Sequence, residues 1–186
     1  WNWHRSPKAK ITLPDLRRLD ISGASDGTVN GFKSGNDFVL RLSGASKLDI
    51  AMETGDFDAE VSGASDLGID MKTAKLDCTI SGASTLSGSI NAASSAIQLN
   101  GASDVRLAGS SGNLVLSGSG ASSAKLASFS VTDADIDLSG ASNADVDVSG
   151  KMDVTLSGAS SLNYYGNPTT GKMDISGESD IEHKTR

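Results

Sequence analysis

The sequence predicts an all-β fold: a single-stranded, right-handed parallel β-helix, or solenoid, of about nine rungs with a period of about 19 residues. A tetrapeptide recurs nine times at near-even spacing, and apolar residues alternate with polar ones around the copies. Ser-Gly-Ala-Ser begins at Ser22, Ser43, Ser62, Ser81, Ser119, Ser139 and Ser157, with Asn-Gly-Ala-Ser at Asn100 and Ser-Gly-Glu-Ser at Ser176. The intervals run 21, 19, 19, 19, 19, 20, 18 and 19 residues, too regular for an accident of composition.

The strands follow in order. Leu19 and Ile21 lead into the first copy, Leu40 and Leu42 into the second, and Phe57, Ala59 and Val61 into the third. Leu76, Cys78 and Ile80 precede the fourth. Ile97/Leu99, Leu114/Leu116, Ile136/Leu138, Val154/Leu156 and Met173/Ile175 precede the rest. Alternation resumes beyond the tetrapeptide in Leu48/Ile50, Leu67/Ile69, Val105/Leu107 and Ala144/Val146/Val148. Period two puts one face of each strand in a core and the other in water. No window carries a sustained helical stripe, so leucine-rich and helical-hairpin repeats fit poorly. One such coil cannot bury its apolar face alone. Stacking equivalent residues in parallel at roughly 4.8 Å does so, and gives a rod roughly 40 Å long. The crossover rule for parallel strands favours a right-handed coil. Neither a hexapeptide sub-repeat nor the calcium-binding Gly-Gly-x-Gly-x-Asp nonapeptide is present. The chain divides into an N-terminal cap segment over 1–18, the β-helix over 19–183 and a tail over 184–186.

Within the tetrapeptide the Gly and the second Ser never vary, whereas the first Ser becomes Asn100 once and the Ala becomes Glu178 once. Strand parity with Leu42, Leu48 and Ile50 predicts that Gly44 and Ser46 face a narrow interior, with Ser43 and Ala45 outside. A positive φ at a bend is the other reason to require Gly. A Ser column at rung spacing satisfies its hydroxyls along the stack or against backbone carbonyls.

Composition narrows the function. Leu, Ile, Val and Phe make up about a fifth of the chain, so folding depends on where these few residues are placed. A net charge of −7 argues against nucleic acid, which needs clustered Lys and Arg. No apolar run is long enough for a membrane-spanning segment. One cysteine excludes a disulfide framework and a Cys-based zinc site. Cys78 alternates with Leu76 and Ile80 and reads as a small core residue. His4 and His183 lie at opposite ends of the sequence. There is no phosphate loop and no Gly-x-Ser-x-Gly elbow. No catalytic, cofactor-binding or metal-binding residue is assigned, and no cofactor is expected.

The outward carboxylates form the densest polar set: Asp20, Asp49, Asp58, Glu60, Asp77, Asp133, Asp135, Asp137, Asp145, Asp147, Asp153 and Asp174. The plain reading is a solvated face that keeps a β-rich rod soluble. The sharper one is a weak Ca²⁺ site at Asp133, Asp135 and Asp137. Trp1, Trp3 and Pro14 before the first copy, and Tyr164-Tyr165-Gly166-Asn167-Pro168 inside the last interval, suit caps on the exposed end rungs, with an exposed aromatic patch that stacks on sugars as the competing reading.

The repeated Leu-x-Ile-Ser-Gly-Ala-Ser-x-Leu units resemble the GIN domain family, the putative auto-transporter adhesin head. So does Tyr165-Gly166-Asn167-Pro168 followed by Met173-Asp174-Ile175-Ser176-Gly177. The resemblance runs from about Lys10 to His183 and implies a secreted or surface-exposed bacterial β-helix, with no catalytic residues to carry over. It further implies a signal or lipoprotein sequence removed from upstream of Trp1. The expected function is an extracytoplasmic, adhesin-like binding module without enzymatic activity. Glycans or cell-envelope polymers are the expected partners, and oligomer formation is left open. The alternatives are a structural envelope component without a ligand and, less favoured, a carbohydrate-active β-helix enzyme.

Overall fold

The computed structural model describes residues 8–185; Trp1, Trp3 and His4 lie outside them. Fourteen strands build one sheet system that is wound, not flat: β1 (Arg18–Ile21), β2 (Asp26–Lys33), β3 (Phe38–Leu42), β4 (Lys47–Glu53), β5 (Phe57–Val61), β6 (Asp66–Ile80), β7 (Thr85–Leu99), β8 (Asp104–Gly118), β9 (Ser123–Leu138), β10 (Asn143–Val148), β11 (Lys151–Leu156), β12 (Ser161–Tyr165), β13 (Thr169–Ile175) and β14 (Asp180–His183). Every pairing is parallel and joins residues one repeat apart, as in Leu42↔Val61, Val61↔Ile80 and Ile80↔Leu99. The result is a β-solenoid of about nine turns with coils of about 19 residues and, among the described residues, no helix.

Two bends close each coil. The tetrapeptide makes the first. Its Gly has φ between +72° and +85° in all nine copies, a left-handed conformation that costs other residues dearly. The next residue's N–H donates to the Gly carbonyl one coil back, for example Ala45 to Gly23 at 2.7 Å and Ala83 to Gly63 at 2.8 Å. These bonds carry the ladder through the bend without a break. The Gly residues are exposed, which corrects the expectation that Gly44 and its equivalents fill the interior. Strand parity does not extend through residues that leave the strand. The bend reading is the right one, and Gly is further required by stacking: a Cβ on Gly101 would stand 2.8 Å from the Gly82 carbonyl oxygen.

The second Ser is inward as expected. Ser46, Ser65, Ser84, Ser103, Ser122, Ser142 and Ser160 are all buried. Each hydroxyl closes the bend or links coils. Ser65 Oγ donates to the Ser62 carbonyl at 2.9 Å and lies 3.5 Å from the Ser46 N–H, while Ser122 and Ser142 hydroxyls meet at 3.0 Å.

The second bend has no sequence signature. In β6 the inward set Leu67, Ile69, Met71 and Thr73 switches parity to Leu76, Cys78 and Ile80 across two successive exposed residues, Ala74 and Lys75. Inward hydroxyls seal this corner: Thr54 Oγ1 donates to the Asn36 carbonyl at 2.6 Å, and Ser95 Oγ to Ser111 Oγ at 3.1 Å. Among the described residues no buried side-chain nitrogen or oxygen lacks a partner.

The core is one continuous column of Leu, Ile, Val, Met and Phe, each fully buried Leu or Phe contributing about 1.5–3 kcal/mol. Phe38 and Phe57 stack at 5.6 Å in neighbouring coils. Where one coil carries a small residue, its neighbour supplies the bulk. Gly109 pairs with Phe129, and Gly118 lies beneath a Leu138 methyl. The longer and shorter intervals are absorbed by register shifts, at Asn30/Phe32 of β2 and at Leu126 to Ser130 of β9.

Candidate binding face

The outward positions of the strands form ladders down the rod, so each polar side chain has a neighbour one coil away. None of the twelve carboxylates expected outside is buried. Most have partners that fix their direction. Ser130 Oγ donates to Asp147 at 2.8 Å and Asn163 Nδ2 to Asp145 at 2.8 Å, and outside that set Ser89 Oγ donates to Asp70 at 2.9 Å. Lysines and arginines interleave with them, as in Lys33–Glu53 at 2.7 Å, Arg18–Asp20 at 2.7 Å and Lys151–Asp153 at 2.6 Å. The Arg18 guanidinium holds the Asp20 carboxyl below its ordinary range, and the Lys33 ammonium does the same for Glu53.

Asp133, Asp135 and Asp137 alternate along β9 and do not converge. Asp133 Oδ1 accepts the backbone N–H of Lys151 at 2.7 Å, at the second bend. Asp135 pairs in register with Val115 and Asp153, and Asp137 with Ser117 and Thr155. Among the described residues no group of three or more His, Cys, Asp or Glu could hold a metal ion. Carboxylates at the second bend instead serve the backbone: Asp37 accepts from Asp56 N at 2.9 Å and Asp153 from Lys172 N at 2.6 Å. The Lys151 ammonium and this N–H together depress the Asp153 carboxyl. That role escapes a sequence reading because it depends on which residues follow the corner in the next coil.

Cys78 is fully buried between Ala59 and Ile97 of the adjacent coils, and burial pushes its thiol up to about 12. It has no chemistry to offer. The tyrosines do not form the outermost layer. Tyr164 lies one coil in, with the His183 ring stacked on it at 4.7 Å and His183 Nε2 2.8 Å from the Gly166 carbonyl oxygen. Pro14 does lie at the N-terminal end, at a bend in an irregular segment, with Leu16 packed against the core.

The long surface carries a shallow groove of about 360 Å³ lined by Thr28, Asn30, Asp49, Asp70 and Ser87 together with Val29, Ile50, Ala51, Ile69 and the backbone of Gly68 and Gly88. Gly68 leaves a gap in an otherwise polar ladder, and the Asp49 carboxylate leans over it. A second hollow of about 330 Å³ around Asp26, Lys47 and Asp49 continues it. Carboxylates, hydroxyls and an amide in a shallow trough accept and donate hydrogen bonds to a polyhydroxylated ligand without enclosing it. No sequence signal marks this groove, since Gly68 and Gly88 are unremarkable among 21 glycines.

A wound rod of stacked parallel coils with a largely polar exterior defines a repeat solenoid. The chain belongs to the family described as putative auto-transporter adhesin, head GIN domain, whose model matches residues 2–85 and 69–168. No curated protein and no solved structure matches the chain.

Proposed function

We propose that the protein is a bacterial cell-surface or secreted adhesin-like binding module, without catalytic activity, whose long outer face contacts a glycan or cell-envelope polymer. The family match over most of the chain carries this reading, since its description is an adhesin head. A repeat rod presents equivalent groups at regular spacing, which suits a polymer of regular spacing. The groove around Asp49 and Asp70 is the favoured contact. Affinity at one site is modest, because large aromatic anchors are scarce on the outside, and attachment rests on many copies acting together.

The test is adhesion of beads densely coated with the protein to a panel of glycans and envelope polymers, with soluble protein for comparison. Dense beads are expected to bind one polymer class far better than soluble protein does, and beads carrying Asp70→Lys to bind less. Failure across the panel would favour a second reading, a structural spacer without a ligand. The rung-to-rung pairing of Ser89 with Asp70 and Ser130 with Asp147 supports that alternative, since it leaves those groups less free to meet a partner.

A further inference from the structure

The two ends of the rod differ in what they leave open. At the N-terminal end, among the described residues, β1 and β2 each pair on one side only, and residues 9–16 of the chain itself lie beside them across a cleft of about 940 Å³. At the C-terminal end, among the described residues, β13 pairs only with β11 and β14 only with β12, and the other edge of each takes no partner. The inward side chains of β13 are uncovered there, with Met173 44% and Ile175 41% exposed.

We infer that this C-terminal edge is a self-association surface, on which a second copy of the chain docks tail to tail about a two-fold axis, β13 pairing antiparallel with β13. Charge chooses this partner and orientation. In head-to-tail stacking, continuing the observed register would set Lys172 on Arg18, Asp174 on Asp20 and Asp180 on Asp26. Like charges directly opposite destabilise a strand pair. Residues 9–16 also crowd that end. Antiparallel pairing centred on Met173 reverses the matching. Lys172 of each copy then stands opposite Asp174 of the other, and both are outward, exposed and already within 3.9 Å along their own strand. A two-fold axis along the sheet normal keeps inward faces inward, so Met173 meets Met173 and the end of the core is closed. The interface is isologous, which stops growth at a dimer. Two rods joined at their C-terminal ends point their N-terminal ends apart.

Sedimentation velocity on the full chain over a micromolar concentration series tests this. A dimer that dissociates on dilution is expected. Lys172→Asp alone, or Asp174→Lys alone, places like charges opposite each other twice per interface and should weaken the dimer by about tenfold or more. Combining both substitutions restores opposite charges and should recover most of the affinity, a result that a folding defect would not produce. Arg18→Asp, at the other end, should leave the dimer intact. A monomer throughout, growth beyond the dimer, or a dimer indifferent to the charge swaps would overturn the inference.

Discussion

Replacing Gly82 with Ala separates two reasons for an invariant glycine. Gly82 sits at φ +77°, and Gly23, at +84°, occupies the same place in the first coil. Either substitution forces an L-residue into the left-handed region, at about 1–2 kcal/mol. Only Gly82 has a coil beneath it. A Cβ there would collide with the carbonyl oxygen of Gly63 and stand 3.1 Å from its nitrogen, whereas a Cβ on Gly23 meets nothing within 4 Å. The obstacles at Gly82 are backbone, so no side chain can swing away. The coils must part, adding about 1–3 kcal/mol of overpacking. The Ala83 N–H to Gly63 carbonyl bond, 2.8 Å in the native coil, is stretched for about 1 kcal/mol more. Gly82→Ala should therefore cost about 3–6 kcal/mol against about 1–2 for Gly23→Ala. For a chain of this length that lowers the thermal midpoint by roughly 10 °C. Thermal and urea unfolding followed by circular dichroism measure both. Ala83→Glu should change stability by less than about 0.5 kcal/mol, as Ala83 is exposed and the ninth copy already carries Glu178. A loss at Gly82 no larger than at Gly23 would refute the steric part of the reasoning.

Ser65→Ala removes a buried hydroxyl from the Ser62 carbonyl and should cost about 1–3 kcal/mol, seen as a lower urea midpoint. Cys78 should react with maleimide only on unfolding. Its folded pKa, about 12 against an ordinary 9.0, favours folding with the neutral thiol, so stability should fall as pH rises above 9; Cys78→Ala should flatten that slope. Asp153 is depressed, so its contribution is present above the ordinary carboxylate range and lost as pH falls through its folded value; Asp153→Asn should reduce the acid sensitivity of the urea midpoint. Millimolar Ca²⁺ should leave the thermal midpoint unchanged, while Asp133→Ala should lower it by releasing the Lys151 N–H.

The solenoid was legible because its core obeys period two within each strand and the tetrapeptide marks one bend per coil. Leu40, Leu42, Leu76, Cys78 and Ile80 are buried where alternation puts them. Alternation misleads wherever the chain leaves the strand. Gly44 has inward parity yet is exposed, because a left-handed residue turns the chain there. The second bend was invisible, since its determinants are a parity switch at Ala74 and Lys75 and hydroxyls such as Thr54 that bond to another coil. Compensations across coils, such as Leu138 over Gly118, likewise belong to the stack and not to any one repeat. The groove beside Asp49 is of the same kind. It arises from a missing side chain at Gly68, whose neighbours are set by register and not by sequence proximity.

Whether the outer face holds a polymer and leaves it intact is decided by binding and product analysis on one sample. Beads coated with the protein are incubated with the polymer they retain, and the bound and free material is sized by chromatography and mass spectrometry. Saturable retention is expected, with the polymer's length distribution unchanged after prolonged incubation. Shortened chains or new unsaturated ends, accumulating with time and protein, would contradict it.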